Sequence, residues 1–301
     1  MQPVVKGYAL AFLATIAVST VYIFSKAALN EVSLPQFGVY WFAMALFWNG
    51  LFALRSKEHR HFHHISGRAF KTLFFLGLVE IVATTSLYSA IAITPNPAIP
   101  SFLRNMEYIF VTLFGVFFLK EHFTRTEISG ILLTFTGAFV ISFQKGADLL
   151  DYISGTSGLM LISTSFYGIR TILAKKNIKT ITPTMLAVNR AIFLLIFAFV
   201  LLKILGHSLL IPHSALINIA FGSFLGPFLT SFSQYSALKY IEASRSSIIQ
   251  SSTALFVLGG AYLFFGKFPA GYQLAGGLLT VAGVLLLLSG KMSSLKINRR
   301  H

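Results

Sequence analysis

The chain has 301 residues, of which 55% are hydrophobic and only 11% charged, whereas a water-soluble domain carries about 25% charged residues. That balance excludes an ordinary soluble fold, leaves no room for a large soluble domain and marks an integral membrane protein. The net charge of +15 invites a nucleic-acid reading that has to be tested against position, and the lack of cysteine excludes disulfides and thiolate metal sites.

Apolar runs of roughly 18 or more residues, the length that crosses a hydrocarbon core, begin near Gly7, Pro35, Phe70, Pro97, Thr126, Thr156, Pro183, Pro212, Ala243 and Pro269. They predict ten transmembrane helices. The first, Gly7 to Leu29, exceeds the apolar core of a signal peptide and is expected to be a retained span. On this layout alternate connections hold Lys6; Arg55, Lys57, Arg60, Arg68, Lys71; Lys120, Arg125; Lys175, Lys176, Lys179; Lys239, Arg245; and Lys291, Lys296, Arg299, Arg300. The other connections hold only Lys26, Lys145, Lys203 and Lys267. Positive charge concentrates on the cytoplasmic side, so both termini are expected there, in a cell inner (plasma) membrane. Membrane orientation accounts for the charge and no nucleic-acid partner is needed.

Taken in chain order, several spans carry polar groups that lipid would reject. Tyr22 occupies the middle to outer part of helix 1. The loop His59 to His64 has imidazoles at a spacing that suits zinc, nickel or copper, but with no acidic residue beyond Glu58 it reads as a solvated basic loop, and no metal is assigned. Helix 3 carries Glu80 with Thr84 on the same face. Glu80 has no charged neighbour one turn away, so it is expected to be the proton carrier if transport is coupled to protons; a buried, hydrogen-bonded glutamate is the alternative.

Helix 4, Ala98 to Leu119, contains Arg104 and Glu107 among twelve Leu, Ile, Phe and Val residues. Those apolar residues return roughly 4 to 7 kcal/mol on insertion, about what the two charges cost, so the segment inserts only if the charges find partners or water. Spacing of three puts the pair on one helical face, and Asn105 and Tyr108 extend it. This stripe is the leading substrate-site candidate, against a pair that only fixes helix packing. Helix 6 adds Tyr167 and, one turn below, Arg170; aromatic faces beside cations favour amines or aromatic rings. Arg190 on helix 7 falls near the cytoplasmic third and is expected to snorkel. Helices 8 and 9 offer Ser231, Tyr235 and Gln250 as uncharged hydrogen-bonding groups, with Gly222, Gly226 and Pro227 allowing close approach or a bend.

The chain repeats itself. Leu87 to Thr94, LYSAIAIT, resembles Gln234 to Ile241, QYSALKYI, at a spacing of 147, and GILLTFTG from Gly130 resembles GGLLTVAG from Gly276. Pro35 pairs with Pro183 and Lys26 with Lys175, so residues 1–147 and 154–291 are expected to be two copies of a five-helix unit, followed by a basic cytoplasmic tail, 292–301. Five is odd, so the second copy enters the membrane inverted. The fold class is therefore all-α integral membrane, with ten transmembrane helices as two inverted five-helix repeats, a construction common in secondary transporters.

The segment Leu119-Lys120-Glu121-His122-Phe123-Thr124, followed by Gly130 and Gly137, resembles the fourth and fifth helices of the drug/metabolite transporter superfamily, in its EamA-type ten-helix permeases. The likeness covers nearly the whole chain. The second copy keeps Gly276 and Gly283 but has Lys267 at the glutamate position, and Tyr108 stands where the family has proline. The resemblance implies a central cavity lined mainly by helices 1, 3, 4, 6, 8 and 9, exchange of small polar or aromatic metabolites such as amino acids, amines or nucleobases, export as the commoner direction, and a structural role for Glu121. It implies no cofactor, and a monomer or homodimer in the lipid bilayer.

Other classes fit less well. A membrane-embedded aspartyl protease needs paired aspartates, whereas Asp148 and Asp151 share one loop. No His-Glu-x-x-His helix and no Walker motif occurs, so neither zinc proteolysis nor direct ATP drive is expected. A sensor or scaffold would need an effector domain that neither tail provides.

Overall fold

The computed structural model describes residues 3–55, 66–119, 124–143, 155–177, 181–230, 233, 236–237, 240 and 249–298. These residues form α1 (Pro3–Leu29), α2 (Leu34–Arg55), α3 (Gly67–Ile93), α4 (Ala98–Leu103), α5 (Met106–Leu119), α6 (Arg125–Ser142), α7 (Thr156–Asn177), α8 (Pro183–Ile204), α9 (His213–Ser223) continued by a π-helical stretch (Phe224–Thr230), α10 (Thr253–Phe265) and α11 (Gly271–Asn298). The helices Val5–Leu29, Leu34–Arg55, Gly67–Ile93 and Thr184–Ile204 are each long and apolar enough to cross a membrane unaided. The others are shorter, broken or carry the polar groups of the site. With α4 and α5 counted as one interrupted span, and α9 with its π-helical end as another, the ten expected spans are present.

Local chemistry sets the helix starts. Ser66 and Thr182 accept from the backbone N–H three residues on, at 3.2 Å each, before α3 and α8, and Pro183 fills the first turn of α8, where a missing N–H costs nothing. Thr124 and Glu127 form a reciprocal capping box at α6. The α10 helix ends at Gly266, whose φ of 60° is left-handed.

The inverted repeat appears as exchanged contacts. α3 packs on α7 as α1 packs on α9 and its π-helical end; α5 packs on α7 as α1 packs on α10. The two self-related pairs are α2 with α8 and α6 with α11. In the α6/α11 seam a Cβ on Gly137 would lie 2.6 Å from the Gly276 carbonyl, and one on Gly130 would lie 2.7 Å from that of Gly283. Gly130 is the repeat mate of Gly276 and Gly137 of Gly283, so one close crossing is made twice. Without a hydrophobic force between helices in lipid, such backbone approach is what binds them.

Two helices are interrupted where the halves meet the cavity. At Arg104 and Asn105 the fourth span tightens: Asn105 N donates to Phe102 O, Glu107 N to Arg104 O and Tyr108 N to Asn105 O, all three residues back. In the ninth span, Ser252 N donates to Ile249 O and Leu255 N to Ser252 O in the same pattern. Ser252 lies 147 residues after Asn105, the spacing of the repeat, so both copies carry the same 3₁₀ turn.

Candidate functional site

A cavity of about 290 Å³ lies between two packed bundles, spans 3, 4, 6 and 7 and spans 1, 2, 8 and 9. It is lined by spans 1, 2, 3, 4, 6, 7, 8 and 9, so helices 2 and 7 join the six implied by the resemblance, through Trp41 on one and Asn189 and Arg190 on the other. Of the residues expected at the site, Tyr22, Glu80, Arg104, Asn105, Glu107, Tyr108, Arg170 and Gln250 all line this cavity. Thr84 and Tyr167 are fully buried behind it and hold the charged groups in place. Ser231 and Tyr235 lie outside the described residues, as do Glu121 and the His59 to His64 loop.

The charged groups form one chain. Arg104 pairs with Glu107 at 3.3 Å, Glu107 with Arg170 at 3.3 Å, Arg170 with Glu80 at 3.4 Å, and Glu80 with Arg190 at 3.1 Å. The 3₁₀ turn explains the first pair: at three residues per turn, side chains three apart eclipse, which sets Arg104 above Glu107 more directly than an α-helix would. Thr84 Oγ1 donates to Glu80 Oε2 at 3.0 Å and stands 3.0 Å from the Tyr167 hydroxyl. The Arg104 and Arg170 guanidiniums each lie 4.5 Å from the Tyr167 ring centre, and Arg190 Nη2 donates to Thr84 Oγ1 at 3.3 Å. Asn105 Nδ2 reaches Thr280 Oγ1 on α11 at 3.3 Å, tying the fourth span to the tenth.

Two expectations are corrected. Glu80 does have charged partners: two guanidiniums, brought from α7 and α8, 90 and 110 residues away in sequence, where no local spacing could reveal them. Arg190 does not snorkel to the interface, because it terminates the ion chain on Glu80. The signal for Arg190 was available, since an arginine inside a span is a functional pointer by default. Tyr88, Trp41 and Asn189 were missed; the Tyr88 ring packs 5.7 Å from Trp41 beneath the cavity wall. Gly222 and Gly226 fit their expected role: a Cβ on Gly222 would meet the Trp41 ring, and Pro227 sits inside the π-helical stretch.

The chain matches the EamA-like transporter family over residues 5–143 and 156–289, one match in each half. It belongs to that family. Among relatives it is 25% identical over 238 residues to a protein of Bacillus subtilis (strain 168) named "Uncharacterized transporter YdfC", covering 76% of this chain and 72% of that one. A solved structure titled "Crystal structure of protein" superposes with a TM-score of 0.61 at 14% identity, over 94% of this chain and 95% of its own, a likeness of fold. The protein is thus a multi-pass membrane transporter of the EamA-like family, which places it in the drug/metabolite transporter superfamily.

Proposed function

We propose that the protein is a secondary transporter that moves a small metabolite, such as an amino acid, amine or nucleobase, by alternating access, with export as its working direction. The observation that carries this reading is the charged cavity between the two bundles, bounded by two repeat-related helix breaks, because discontinuous helices at an inverted-repeat interface are where transporters bind cargo. The two moving bodies are the packed bundles of spans 3, 4, 6 and 7 and of spans 1, 2, 8 and 9, each drawn from both repeats, 1–147 and 154–291, in the cell inner membrane with both termini cytoplasmic.

The closed side supports this reading. On the lysine-poor side the halves are tied by Thr94 Oγ1 and Thr156 Oγ1 at 2.6 Å, by Gln36 Nε2 donating to Ser208 O at 2.8 Å, by Tyr40 Oη donating to Leu209 O at 2.7 Å, and by Ser214 with Glu31. The cavity lining runs instead toward Leu76, Ala174 and Leu186, in the halves of α3, α7 and α8 nearer the basic connections. We read this conformation as inward-facing, with Asn189 Nδ2 donating to Leu73 O at 2.9 Å as a tie nearer the basic connections. Opening outward would part Gln36 and Tyr40 from the Ser208 and Leu209 carbonyls. If protons drive the cycle, Glu80 carries them, and it does so by letting go of two arginines.

The test is counterflow in reconstituted vesicles. Vesicles preloaded with a mixture of unlabelled amino acids, amines, nucleobases and small carboxylates should accumulate one labelled member of the mixture, and the Arg170→Met variant should not. Equal accumulation by empty vesicles and by protein-containing ones for every compound overturns the reading.

A further inference from the structure

Among the described residues, the charges of the cavity lie on one of its two walls. Spans 3, 4, 6 and 7 pack together and supply Glu80, Arg104, Glu107, Arg170 and Arg190; their repeat mates, spans 8, 9, 1 and 2, supply Tyr22, Trp41, Pro227, Thr230, Gln250 and Thr253 to the facing side. On the charged wall, three guanidiniums stand against two carboxylates, which leaves one more positive than negative charge among the described lining residues. The two signs are not equally presented. The arginine side chains are 26 to 27% exposed, whereas those of Glu80 and Glu107 are 7% and 14% exposed. The carboxylates are drawn back between the arginines, and the surface that a solute meets is cationic.

A half-buried excess positive charge facing a confined cavity is stabilised by an anion, and a planar guanidinium pairs best with a carboxylate. The geometry points to a small monoanionic solute as the cargo, a carboxylate on an apolar or aromatic body. Its carboxylate meets the arginine face, and its body lies against Val18, Pro227 and Thr253 on the facing wall, with Tyr22 and Trp41 buried behind them. This assignment rests on the transporter reading above and takes a monoanion, not an amine or a zwitterionic amino acid, as the cargo. An amine would face three guanidiniums, and like charges set opposite each other exclude a ligand. A neutral zwitterion leaves the excess charge unmatched, and its ammonium group would have to displace an arginine to reach a carboxylate. At about 290 Å³ the cavity sits near the lower end of small-molecule pockets, which limits the body to roughly one ring.

The experiment compares ligands with one body and different charge. Purified protein in a chloride-poor buffer is titrated with phenylacetate, phenylalanine and phenethylamine, with acetate, butyrate and benzoate as further monoanions, and thermal unfolding is followed. Monoanions with an apolar body are expected to stabilise saturably, and the zwitterion and amine to have no saturable effect in the same range. Arg104→Gln or Arg190→Gln should weaken the tightest monoanion about tenfold or more, and Glu107→Gln, which releases Arg104, should tighten it. Stabilisation by the amine or zwitterion equal to that by phenylacetate, no effect from any monoanion, or monoanion binding indifferent to all three substitutions would each overturn the assignment. Vesicle counterflow with the same compounds separates the two readings. Monoanion binding without flux removes the transporter and keeps the anion site, whereas flux of an amine or zwitterion without monoanion binding does the reverse.

Discussion

The two walls of the cavity are built from repeat-related spans, 3, 4, 6 and 7 on one side and 8, 9, 1 and 2 on the other, yet one carries a five-membered ion chain and the other carries aromatic rings and uncharged hydroxyl and amide groups. The mates are specific. At the repeat spacing of 147, Glu80 corresponds to Pro227, so a carboxylate on a straight α-helix in one half becomes a proline inside a π-helical stretch in the other. The α6/α11 seam, in contrast, kept its four glycines and makes the same backbone approach twice. Symmetry has been retained where helices must touch closely and lost where a solute must be distinguished end from end. A cavity with identical walls would suit a symmetric solute, whereas unlike walls fit the proposed cargo with a polar head and an apolar body.

The largest break in that comparison should come from Arg170→Met. This arginine is the shared partner of both carboxylates, and removing one member of a buried ion network costs about 3 to 5 kcal/mol. The expected result is a large fall in unfolding midpoint, read by fluorescence in detergent, together with loss of flux. Next come the seam glycines. Gly130→Ala and its mate Gly276→Ala each place a methyl against backbone that cannot yield, at about 1 to 3 kcal/mol, and because the crossing is symmetric the two values should agree closely. Unequal values would show that the seam is less symmetric than its contacts. Thr84→Val should cost about 1 to 2 kcal/mol through the lost bonds to Glu80 and Tyr167. Paired with Tyr167→Phe in a double-mutant cycle, it should show less than additive loss, since the hydroxyls share one contact.

Much of this was legible in the sequence, for stated reasons. Span positions follow from hydropathy, inversion follows from the odd number of helices per repeat, and the Arg104–Glu107 pair follows from a spacing of three. Arg170 and Tyr167 were visible as polar groups that lipid would not accept. The hidden part is what joins distant segments. Glu80 looked solitary because its partners arrive from α7 and α8, and Arg190 looked like a snorkelling residue because depth in a span says nothing about which way a side chain turns. The helix breaks were hidden too. A 3₁₀ turn inside an apolar run changes hydrogen-bond register without changing composition, and neither Asn105 nor Ser252 is a strong breaker.

Those two breaks give the finest comparison, and the smallest expected effect. Asn105 is 5% exposed and donates across to Thr280 on α11, so Asn105→Ala removes an inter-span bond and leaves space behind, at about 1 kcal/mol. Ser252 donates only to Ile249 O, which already accepts from the Ser252 backbone N–H; Ser252→Ala therefore orphans nothing and should stay within about 0.5 kcal/mol. Both are readable as shifts in thermal midpoint. If the ordering holds, the charged wall uses its break as a fixed joint braced against α11, while the uncharged wall has a break held by its own backbone and free to alter with less resistance. Motion between inward and outward states would then start in the ninth span. Equal costs at the two positions would place the joint in both spans alike, and the asymmetry of the walls would be chemical alone.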